Sequence, residues 1–510
     1  MRTVIDKGNP DILIPSEGTY PYVQGGVSSW IAQLMNGLPQ YTFGIIFIGS
    51  KREEYPPEPL YELPENLVYF VETFIFDESI KPKVTAIDGD KESFKYIEEL
   101  YRWFKNKKKE KQKFPEKIKD LNFYLNNINE SVFLYSRESW KFILEKNQEN
   151  APDIPFIDYF WAIRNIHMPI WKLAKLAKFI GNKGSIIHAP STGYAGFLAT
   201  LISQDRNLPY ILTEHGIYTK ERKIDLISNS AMMERKLKLF QESAEDHYIQ
   251  KIWINFFEAI GLMSYNSADR IFSLFNVAKN TQIAYGAIEN KCKVIPNGVN
   301  VTKLKNTLKE RTKEVPKVIT LIGRIVSIKD IKTFIRAIRL TANEIPDIEA
   351  WIVGPDNEDE SYAQECRQLI SILELEDNIK FLGFQNIIDI LPKSGLLTLT
   401  SISEGMPLVV LEGFAAGVPC VSTDVGSCKE LIYGKDEEDS AIGKAGRICS
   451  ISNPKELAEA YIELLSNEDI WHKAQASALT RVNKYYTQEQ FLSAYQTVYD
   501  ELYHHVKVNK

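Results

Sequence analysis

Short apolar runs alternate along most of the chain with longer stretches in which apolar residues recur every three or four positions. Short runs rich in β-branched residues that end in glycine or a small polar residue are typical of buried strands in parallel βαβ units. The pattern predicts strands at residues 11–15, 42–48, 186–189, 210–213, 317–322, 349–353, 396–400 and 419–422. It indicates an α/β fold with parallel sheets covered by helices on both faces.

Two stretches interrupt this alternation. Residues 90–180 have the spacing of long helices with many aromatic side chains, which predicts a helical insertion. Residues 300–316 are polar and lysine-rich and end in proline, as linkers between domains often do. We therefore expect a first domain at 1–305, a second at 306–475 and a C-terminal helix at 476–510.

Composition sets the class of protein. The chain has 510 residues, of which 44% are apolar and 25% charged, as in a globular protein of several domains. The net charge of −6 argues against a general nucleic-acid binder. One lysine-rich run, residues 105–113, predicts a solvated surface, with contact to anionic lipid or an acidic partner as the alternative.

Cysteine usage and hydropathy bear on the compartment. The five cysteines are odd in number and form no CxxC pair, which indicates plain thiols in a reducing compartment. No stretch approaches the roughly 20 apolar residues of a membrane span, and the N-terminus lacks the apolar core of a signal peptide. These features predict a cytoplasmic protein.

Residues 403–419 predict a ligand-binding turn at the end of a strand. Pro407 suits a first helical position and Gly417 the position just after a helix. The free N–H groups of that helix would form an anion site where ligands bind open α/β sheets. Glu404 precedes the helix and Glu412 lies two turns on, about 12 Å further along. The two carboxylates can therefore reach different parts of one elongated ligand.

A pair of cations follows another predicted strand. Arg324 and Lys329 come directly after the strand at 317–322. A guanidinium fork and a lysine point charge at a strand end are suited to a diphosphate. The pair is a weak signal alone and gains weight from its occurrence together with the two glutamates.

A glycine pair follows the first predicted strand. Gly25 and Gly26 let the backbone approach a ligand closely, and Ser28 is a candidate cap for the next helix. The segment fits neither GxGxxG nor GxxxxGK[ST], which disfavours dinucleotide and P-loop sites.

One acidic motif is a candidate for metal binding. Asp88 and Asp90 form a DxD sequence, but no clear strand precedes it and the helical insertion follows. We interpret it as a turn. No His, Cys or Asp cluster has the spacing of a zinc site, so the sequence predicts no metal site.

These motifs together resemble the retaining glycosyltransferases of family four, over nearly the whole chain. Residues 17–22, 188–196 and 213–225 narrow the resemblance to the PelF-type enzymes of Pel exopolysaccharide synthesis. The resemblance implies a GT-B fold, with two Rossmann-like domains facing a cleft and a C-terminal helix packing back on the first domain. One departure is Gly426-Ser427, where many relatives have two glycines.

The resemblance implies roles for the second domain. Glu412 would bind the ribose hydroxyls and Glu404 the hydroxyls of the donor sugar. Arg324 and Lys329 would hold the diphosphate. The backbone near the helix start would assist them, at Gly405, Met406, Pro407 and Leu408.

It also implies roles for the first domain. Gly25 and Gly26 would approach the diphosphate or the sugar. His215 matches the histidine that faces the transferring sugar, and with Glu404, Arg324 and Lys329 it makes up the implied catalytic set. A second group is expected to line the acceptor side of the cleft: His188, Ser191 and Tyr194.

The function implied is metal-independent, retaining transfer of a hexose from a UDP-sugar to a growing Pel-like exopolysaccharide, without a cofactor. Membrane-embedded export subunits are the expected partners, and would hold a cytoplasmic protein at the inner face of the membrane. Two alternatives stay open, because fold does not fix function: a GT-B epimerase, and a non-catalytic subunit that binds nucleotide sugar. UDP release with and without acceptor separates these possibilities.

Overall fold

Two sheets organise the part of the chain that the computed structural model describes, residues 1–77, 87–105, 116–223, 244–312 and 314–508. The first sheet has the strand order β1-β4-β3-β2-β5-β6-β7-β8. Its strands are β1 Arg2–Asp6, β2 Ile12–Glu17, β3 Phe43–Gly49, β4 Leu67–Phe74, β5 Ile186–Ala189, β6 Tyr210–Glu214, β7 Arg270–Ser273 and β8 Cys292–Val294. β1 pairs antiparallel with β4, and the pairs from β4 through β7 are parallel.

The second sheet is parallel, in the order β11-β10-β9-β12-β13-β14. Its strands are β9 Val318–Ile322, β10 Glu349–Val353, β11 Ile379–Gly383, β12 Leu396–Leu399, β13 Cys420–Thr423 and β14 Gly446–Cys449. The prediction of an α/β fold with two parallel sheets is confirmed.

Helices cover both sheets. Those described before residue 300 include Gly26–Gly37, Lys91–Lys105, Glu130–Tyr135, Arg137–Asn150, Phe156–Ile180, Tyr194–Arg206, Ala244–Ser267 and Asn276–Ala284. Those that follow are Val301–Lys305, Ile331–Glu344, Glu360–Ile372, Ile387–Ile390, Leu408–Ala415, Cys428–Tyr433, Glu437–Ser440, Pro454–Leu465, Glu468–Tyr485 and Gln488–Val508.

The chain divides into two compact units. The first comprises Met1–Ser273, Lys279–Lys293 and Gln496–Lys510, and the second comprises Leu274–Ala278 and Val294–Tyr495. Each unit has its own core of buried aliphatic and aromatic side chains between sheet and helices, and burial of this apolar surface is the main force that stabilises each.

The region at 90–180 is helical where the structure describes it, as the aromatic spacing predicted. The helix Phe156–Ile180 packs against the first unit's core, and Trp171 Nε1 donates a hydrogen bond of 2.8 Å to the Ile128 carbonyl. Residues 106–113 of the lysine-rich run lie outside the described residues, so its interpretation stays a prediction.

Candidate functional site

The loop after β12 brings a carboxylate and an ammonium group together in the second unit. Lys329 Nζ donates to Glu404 Oε1 at 2.6 Å, and Ser401 Oγ donates to the same oxygen at 2.6 Å. The side chains are 22% and 13% exposed for Lys329 and Glu404. Partial burial reduces solvent screening and strengthens such a pair relative to a surface one. Two residues singled out separately in the sequence therefore form one polar cluster.

Backbone contacts fix the two segments that carry this pair. Thr400 Oγ1 donates to the Lys329 carbonyl at 2.8 Å, and the Ile402 amide donates to the Ile328 carbonyl at 2.9 Å. Both segments follow neighbouring parallel strands, β9 and β12, whose carboxyl ends lie at the same edge of the sheet. The topology thus places the cation beside the carboxylate before any ligand binds.

The helix Leu408–Ala415 begins directly after this loop. Pro407 is its N-cap residue, one position earlier than the first helical position that the sequence predicted. Gly417 follows the C-cap with φ +69°, as expected of a residue that ends a helix. Amide groups at a helix start favour a negatively charged ligand.

A neighbouring loop supports the turn before the helix from behind. The Ser427 amide donates to the Gly405 carbonyl at 2.9 Å. Gly426 has φ +54°, and a Cβ there would lie 2.4 Å from the Glu404 carbonyl oxygen and 2.2 Å from that of Gly405. The turn that carries Glu404 therefore packs against a position that only glycine fits.

Met406 is held by a second neighbour. The Asn297 amide lies 3.3 Å from Met406 Sδ, and Asn297 Nδ2 donates to the Met406 carbonyl at 3.3 Å. Asn297 is nearly fully buried. Asn297 was not among the predicted site residues, although its Pro-Asn-Gly turn is visible in the sequence.

Arg324 occupies a different environment from Lys329. Its Nη1 donates to both carboxylate oxygens of Glu358 at 2.6 Å, and both side chains are about half exposed. Exposed pairs of this kind contribute little to stability, because water and salt screen them. The guanidinium can therefore exchange this partner for a ligand at low cost.

Glu412 lies inside the helix, half-buried. Burial raises the pKa of its carboxyl group to about 7, because desolvation penalises the charged form. Its protonation state therefore responds to any ligand that donates hydrogen bonds to it.

The first unit contains a cavity of about 610 Å³. It opens at the carboxyl ends of β2, β3, β5 and β6, where parallel α/β sheets bind ligands. Three predicted residues line it, namely Ser191, Tyr194 and His215. Other lining residues include Glu17, Thr19, Ser50, Tyr55, Tyr218, Glu221 and Arg222.

His215 lies at the wall of this cavity. Its Nε2 is buried and has no hydrogen-bond partner among the described residues. Burial lowers the pKa of the imidazole to about 3, so the ring is neutral at pH 7. The ring of Trp30 packs edge-to-face against it at a centroid distance of 4.8 Å.

Glu17 is a cavity residue that the site prediction did not include. Its Oε1 accepts a hydrogen bond of 2.8 Å from the Tyr218 hydroxyl, and its Oε2 accepts one of 3.3 Å from the Ala195 amide. It ends β2 and lies at the start of the helix Tyr194–Arg206, where a carboxylate is favoured. Its place at the end of the first predicted strand was the available signal.

Three predicted residues of the first unit lie apart from the cavity lining. His188 is fully buried, with Nδ1 2.8 Å from the Tyr499 hydroxyl and Nε2 2.8 Å from Thr213 Oγ1. Gly25 and Gly26 are exposed at the start of the helix Gly26–Gly37, with open space around both.

Ser28 does not cap that helix, contrary to expectation. Its hydroxyl donates backwards to the Val23 carbonyl at 2.6 Å, and the N-cap residue is Gly25. The glycine pair therefore leaves the helix start without a side-chain cap.

The DxD carboxylates have structural partners. Asp90 accepts hydrogen bonds from the Ser93 hydroxyl and amide at 2.6 and 3.2 Å at the start of the helix Lys91–Lys105, and these bonds lower its pKa. Asp88 lies 3.5 Å from Arg137. Across the described ranges, no group of three or more His, Cys, Asp or Glu side chains is arranged to hold a metal ion.

Two further features concern the cysteines and the hydropathy of the helices. All five cysteines are buried free thiols. In the part of the chain that the structure describes, no helix combines the length and apolar character required to cross a membrane.

The fold is that of GT-B glycosyltransferases. Anabaena HepE, solved in complex with UDP and glucose, superposes with a TM-score of 0.57 at 13% identity, over 96% of this chain and 99% of that chain. Sucrose-phosphate synthase from Thermosynechococcus elongatus gives a TM-score of 0.59 at 14% identity, also over 96% and 99%.

Sequence comparison identifies the family. Residues 10–290 match the model described as "Domain of unknown function (DUF3492)", and residues 303–481 match "Glycosyl transferases group 1". The chain belongs to the DUF3492 family, whose model covers more than half of it, and its residues 303–481 are similar to group 1 glycosyltransferases. It is similar to N-acetyl-alpha-D-glucosaminyl L-malate synthase of Bacillus anthracis, with 26% identity over 243 residues, which are 48% of this chain. The match spans 59% of that relative's length.

Proposed function

We propose that this protein is a retaining glycosyltransferase that moves a hexose from a UDP-sugar to a growing exopolysaccharide of the Pel type. The observation that carries the proposal is the Lys329–Glu404 pair, 2.6 Å apart at the start of the helix Leu408–Ala415. A cation, a carboxylate and helix amides at one strand end suit a diphosphate that bears a hydroxylated sugar.

In this proposal the second domain, residues 306–475, holds the donor. Lys329 and Arg324 bind the diphosphate, Glu404 accepts hydrogen bonds from the sugar, and Glu412 accepts them from the ribose. The matches to group 1 glycosyltransferases over residues 303–481 support this assignment.

The first domain, residues 1–305, receives the acceptor in its cavity. Ser191, Tyr194 and His215 contribute polar and aromatic groups to a volume of about 610 Å³. Cavities of this size accommodate a small ligand or part of a longer one.

The chemical step exchanges one bond at the anomeric carbon for another on the same face. The bond from that carbon to the β-phosphate oxygen breaks, and the acceptor hydroxyl oxygen forms the new one. The leaving phosphate oxygen takes the acceptor proton. Lys329, Arg324 and the helix start stabilise the departing diphosphate, which is where transition-state charge develops.

The proposal includes a cellular setting. The protein acts at the inner face of the membrane and is held there by membrane-embedded export subunits. The resemblance of residues 17–22, 188–196 and 213–225 to PelF-type enzymes supports this setting.

The test is a donor and acceptor screen. The purified protein is incubated with a panel of UDP-sugars, with and without oligosaccharide acceptors, and UDP release and products are measured by mass spectrometry. We expect UDP release that requires an acceptor, with one sugar added. Sugar isomerisation without UDP release would instead identify an epimerase, and UDP-sugar binding without turnover a non-catalytic subunit. Either result overturns the proposal.

A further inference from the structure

Trp30 lies between two histidine rings in the first unit. Its ring centroid is 4.8 Å from that of His215 at an interplanar angle of 79°, and 5.1 Å from that of His188 at 83°. Trp30 is 1% exposed and His188 is fully buried. Edge-to-face contacts between rings have preferred geometry, so the position of one ring restrains the next.

His188, the histidine of this row of rings that does not line the cavity, is fixed by hydrogen bonds. Tyr499 contacts Nδ1 of His188 through its hydroxyl at 2.8 Å, and Thr213 contacts Nε2 through its hydroxyl at 2.8 Å. A neutral imidazole has one donor and one acceptor nitrogen, and a hydroxyl can serve either role. Both ring nitrogens are thus satisfied, and the ring has one favoured orientation.

Tyr499 is itself held in place by its helix, Gln488–Val508. Tyr503, one turn further along the helix, donates to Asp11 Oδ1 at 2.7 Å. Tyr41 packs its ring against that of Tyr499 at 5.5 Å and donates its hydroxyl to Asp500. Tyr41 therefore restrains Tyr499 by direct ring contact, whereas the Tyr503 hydroxyl bonds to a different residue one turn away.

His215 forms the end of this row of rings at the cavity wall. Because its Nε2 has no hydrogen-bond partner among the described residues, ring packing must contribute to its orientation. We propose that Tyr499, His188 and Trp30 are positioning residues, which orient His215 towards the cavity. They act through a continuous row of edge-to-face ring contacts that begins on the helix Gln488–Val508. The kinetic consequence rests on the proposed function, whereas the positioning does not.

The test compares two variants of one helix. Tyr499→Phe keeps the ring contacts and removes only the hydroxyl that reaches His188. Tyr503→Phe removes an equivalent hydroxyl that bonds to Asp11 instead, and it serves as the matched control. The full-length protein is labelled at its seven histidines for NMR, and the His215 signal is assigned from the His215→Gln variant.

We expect Tyr499→Phe to shift the His215 imidazole signals and Tyr503→Phe to leave them at their wild-type positions. Trp30→Leu, which removes the ring between the histidines, should shift them further. Unchanged His215 signals in folded Tyr499→Phe, or equal shifts in both tyrosine variants, overturn the inference. This readout needs no substrate, so it stays decisive if the screen finds no transferase activity.

Turnover gives the second readout. Because the donor contacts lie on other elements, Tyr499→Phe should lower kcat about 10-fold to 10²-fold, the scale of a misplaced group at a reacting centre, with KM for the UDP-sugar unchanged. Tyr503→Phe should keep the wild-type kcat. A shift of His215 without a change in kcat would retain the positioning and refute a role for His215 in transfer.

Discussion

Glu404 and Glu412 show how two carboxyl groups eight residues apart acquire different properties. Glu404 is paired with Lys329 at 2.6 Å, whereas burial raises the pKa of Glu412 to about 7. Environments that separate carboxyl groups in this way commonly give them separate roles. Glu404 is preorganised beside a cation, and Glu412 gains its charge when a ligand compensates its desolvation.

In the proposed donor site, the pKa of Glu412 makes UDP affinity depend on pH. The ribose hydroxyls of that proposal donate to the carboxylate form, so UDP binding below about pH 7 must displace a proton from Glu412. Affinity therefore weakens as pH falls from 8 to 6, by up to about tenfold per pH unit, and is constant above pH 7 as far as this group is concerned. Calorimetry at pH 6, 7 and 8 measures it.

The control is Glu412→Gln, because glutamine does not titrate. Any pH dependence that remains in this variant comes from other groups, including the phosphates of UDP. The pH dependence of the wild type should exceed that of the variant, and Glu412→Ala should bind UDP about 1.5–3 kcal/mol more weakly at pH 8, as for a charged hydrogen bond. Identical slopes in wild type and Glu412→Gln would remove Glu412 from the ribose site.

Lys329 should matter more than its surface neighbours. Lys329→Met deletes the ammonium group beside Glu404 and leaves that carboxylate with Ser401. Loss of a transition-state charge contact typically costs about 10²–10³ in rate, so turnover of the UDP-sugar should fall by that factor. Lys332→Met, three residues on, removes a more exposed pair with Glu365 and is the control. Equal activity of the two variants would contradict the assignment.

At the scale of elements, the turn that carries Glu404 depends on its packing against Gly426. Gly426→Ala places a Cβ within 2.4 Å of the Glu404 carbonyl oxygen, so the loop must move. Gly383→Ala is a matched control, because Gly383 also has positive φ, +65°, but nothing lies within 4 Å of its Cβ position. Both variants carry the backbone strain of about 1–2 kcal/mol. Only Gly426→Ala should weaken UDP binding, by at least tenfold. Calorimetry measures UDP affinity in both variants, after thermal melts confirm that each variant folds.

The eight predicted strands all lie in the interior of a sheet and are mostly apolar. The predicted bounds 186–189 and 349–353 coincide with β5 and β10. β11 and β14 were missed because both lie at an edge of the second sheet and have partly exposed residues that break the apolar run. β4 is interrupted by Glu72, whose burial is compensated by the Tyr22 hydroxyl at 2.6 Å, a partner that no local pattern reveals.

The site residues that were predicted differ from those that were missed in the sequence range of their contacts. Glu404, Lys329 and Glu412 were found because each lies in a motif at a strand or helix end. Glu17 was not, since its partner Tyr218 is 201 positions away. The hydrogen-bond partner of His188 was equally invisible, because Tyr499 lies 311 positions away on the helix Gln488–Val508. Contacts of that range arise from topology, which spacing alone does not encode.

At the scale of the whole molecule, the C-terminal helix belongs to both units. The second unit extends to Tyr495 and the first resumes at Gln496, so one continuous helix, Gln488–Val508, has residues in both units. Its last turns bear Tyr499 and Tyr503, which contact the first sheet. The second half of this helix therefore bonds to residues of the first unit.

The proposed architecture neutralises the departing diphosphate with fixed protein charges, and this predicts metal-independent transfer. Lys329, Arg324 and the start of the helix Leu408–Ala415 supply those charges at strand ends of the second unit. In the alternative scheme a DxD pair holds a divalent ion that does so. Here Asp90 caps a helix and Asp88 lies 3.5 Å from Arg137. Sugar transfer should therefore survive excess EDTA.

Variants separate the two schemes. Asp88→Asn combined with Asp90→Asn removes both charges and preserves the capacity to cap the helix, so this double variant should transfer sugar at the wild-type rate. Arg324→Ala should lower turnover by about 10²–10³, because a charge contact to the leaving group is lost. The measurement is acceptor-dependent UDP release with and without EDTA. Loss of activity in EDTA and in the double variant, with Arg324→Ala active, would show that the donor site and the mechanism are both wrong.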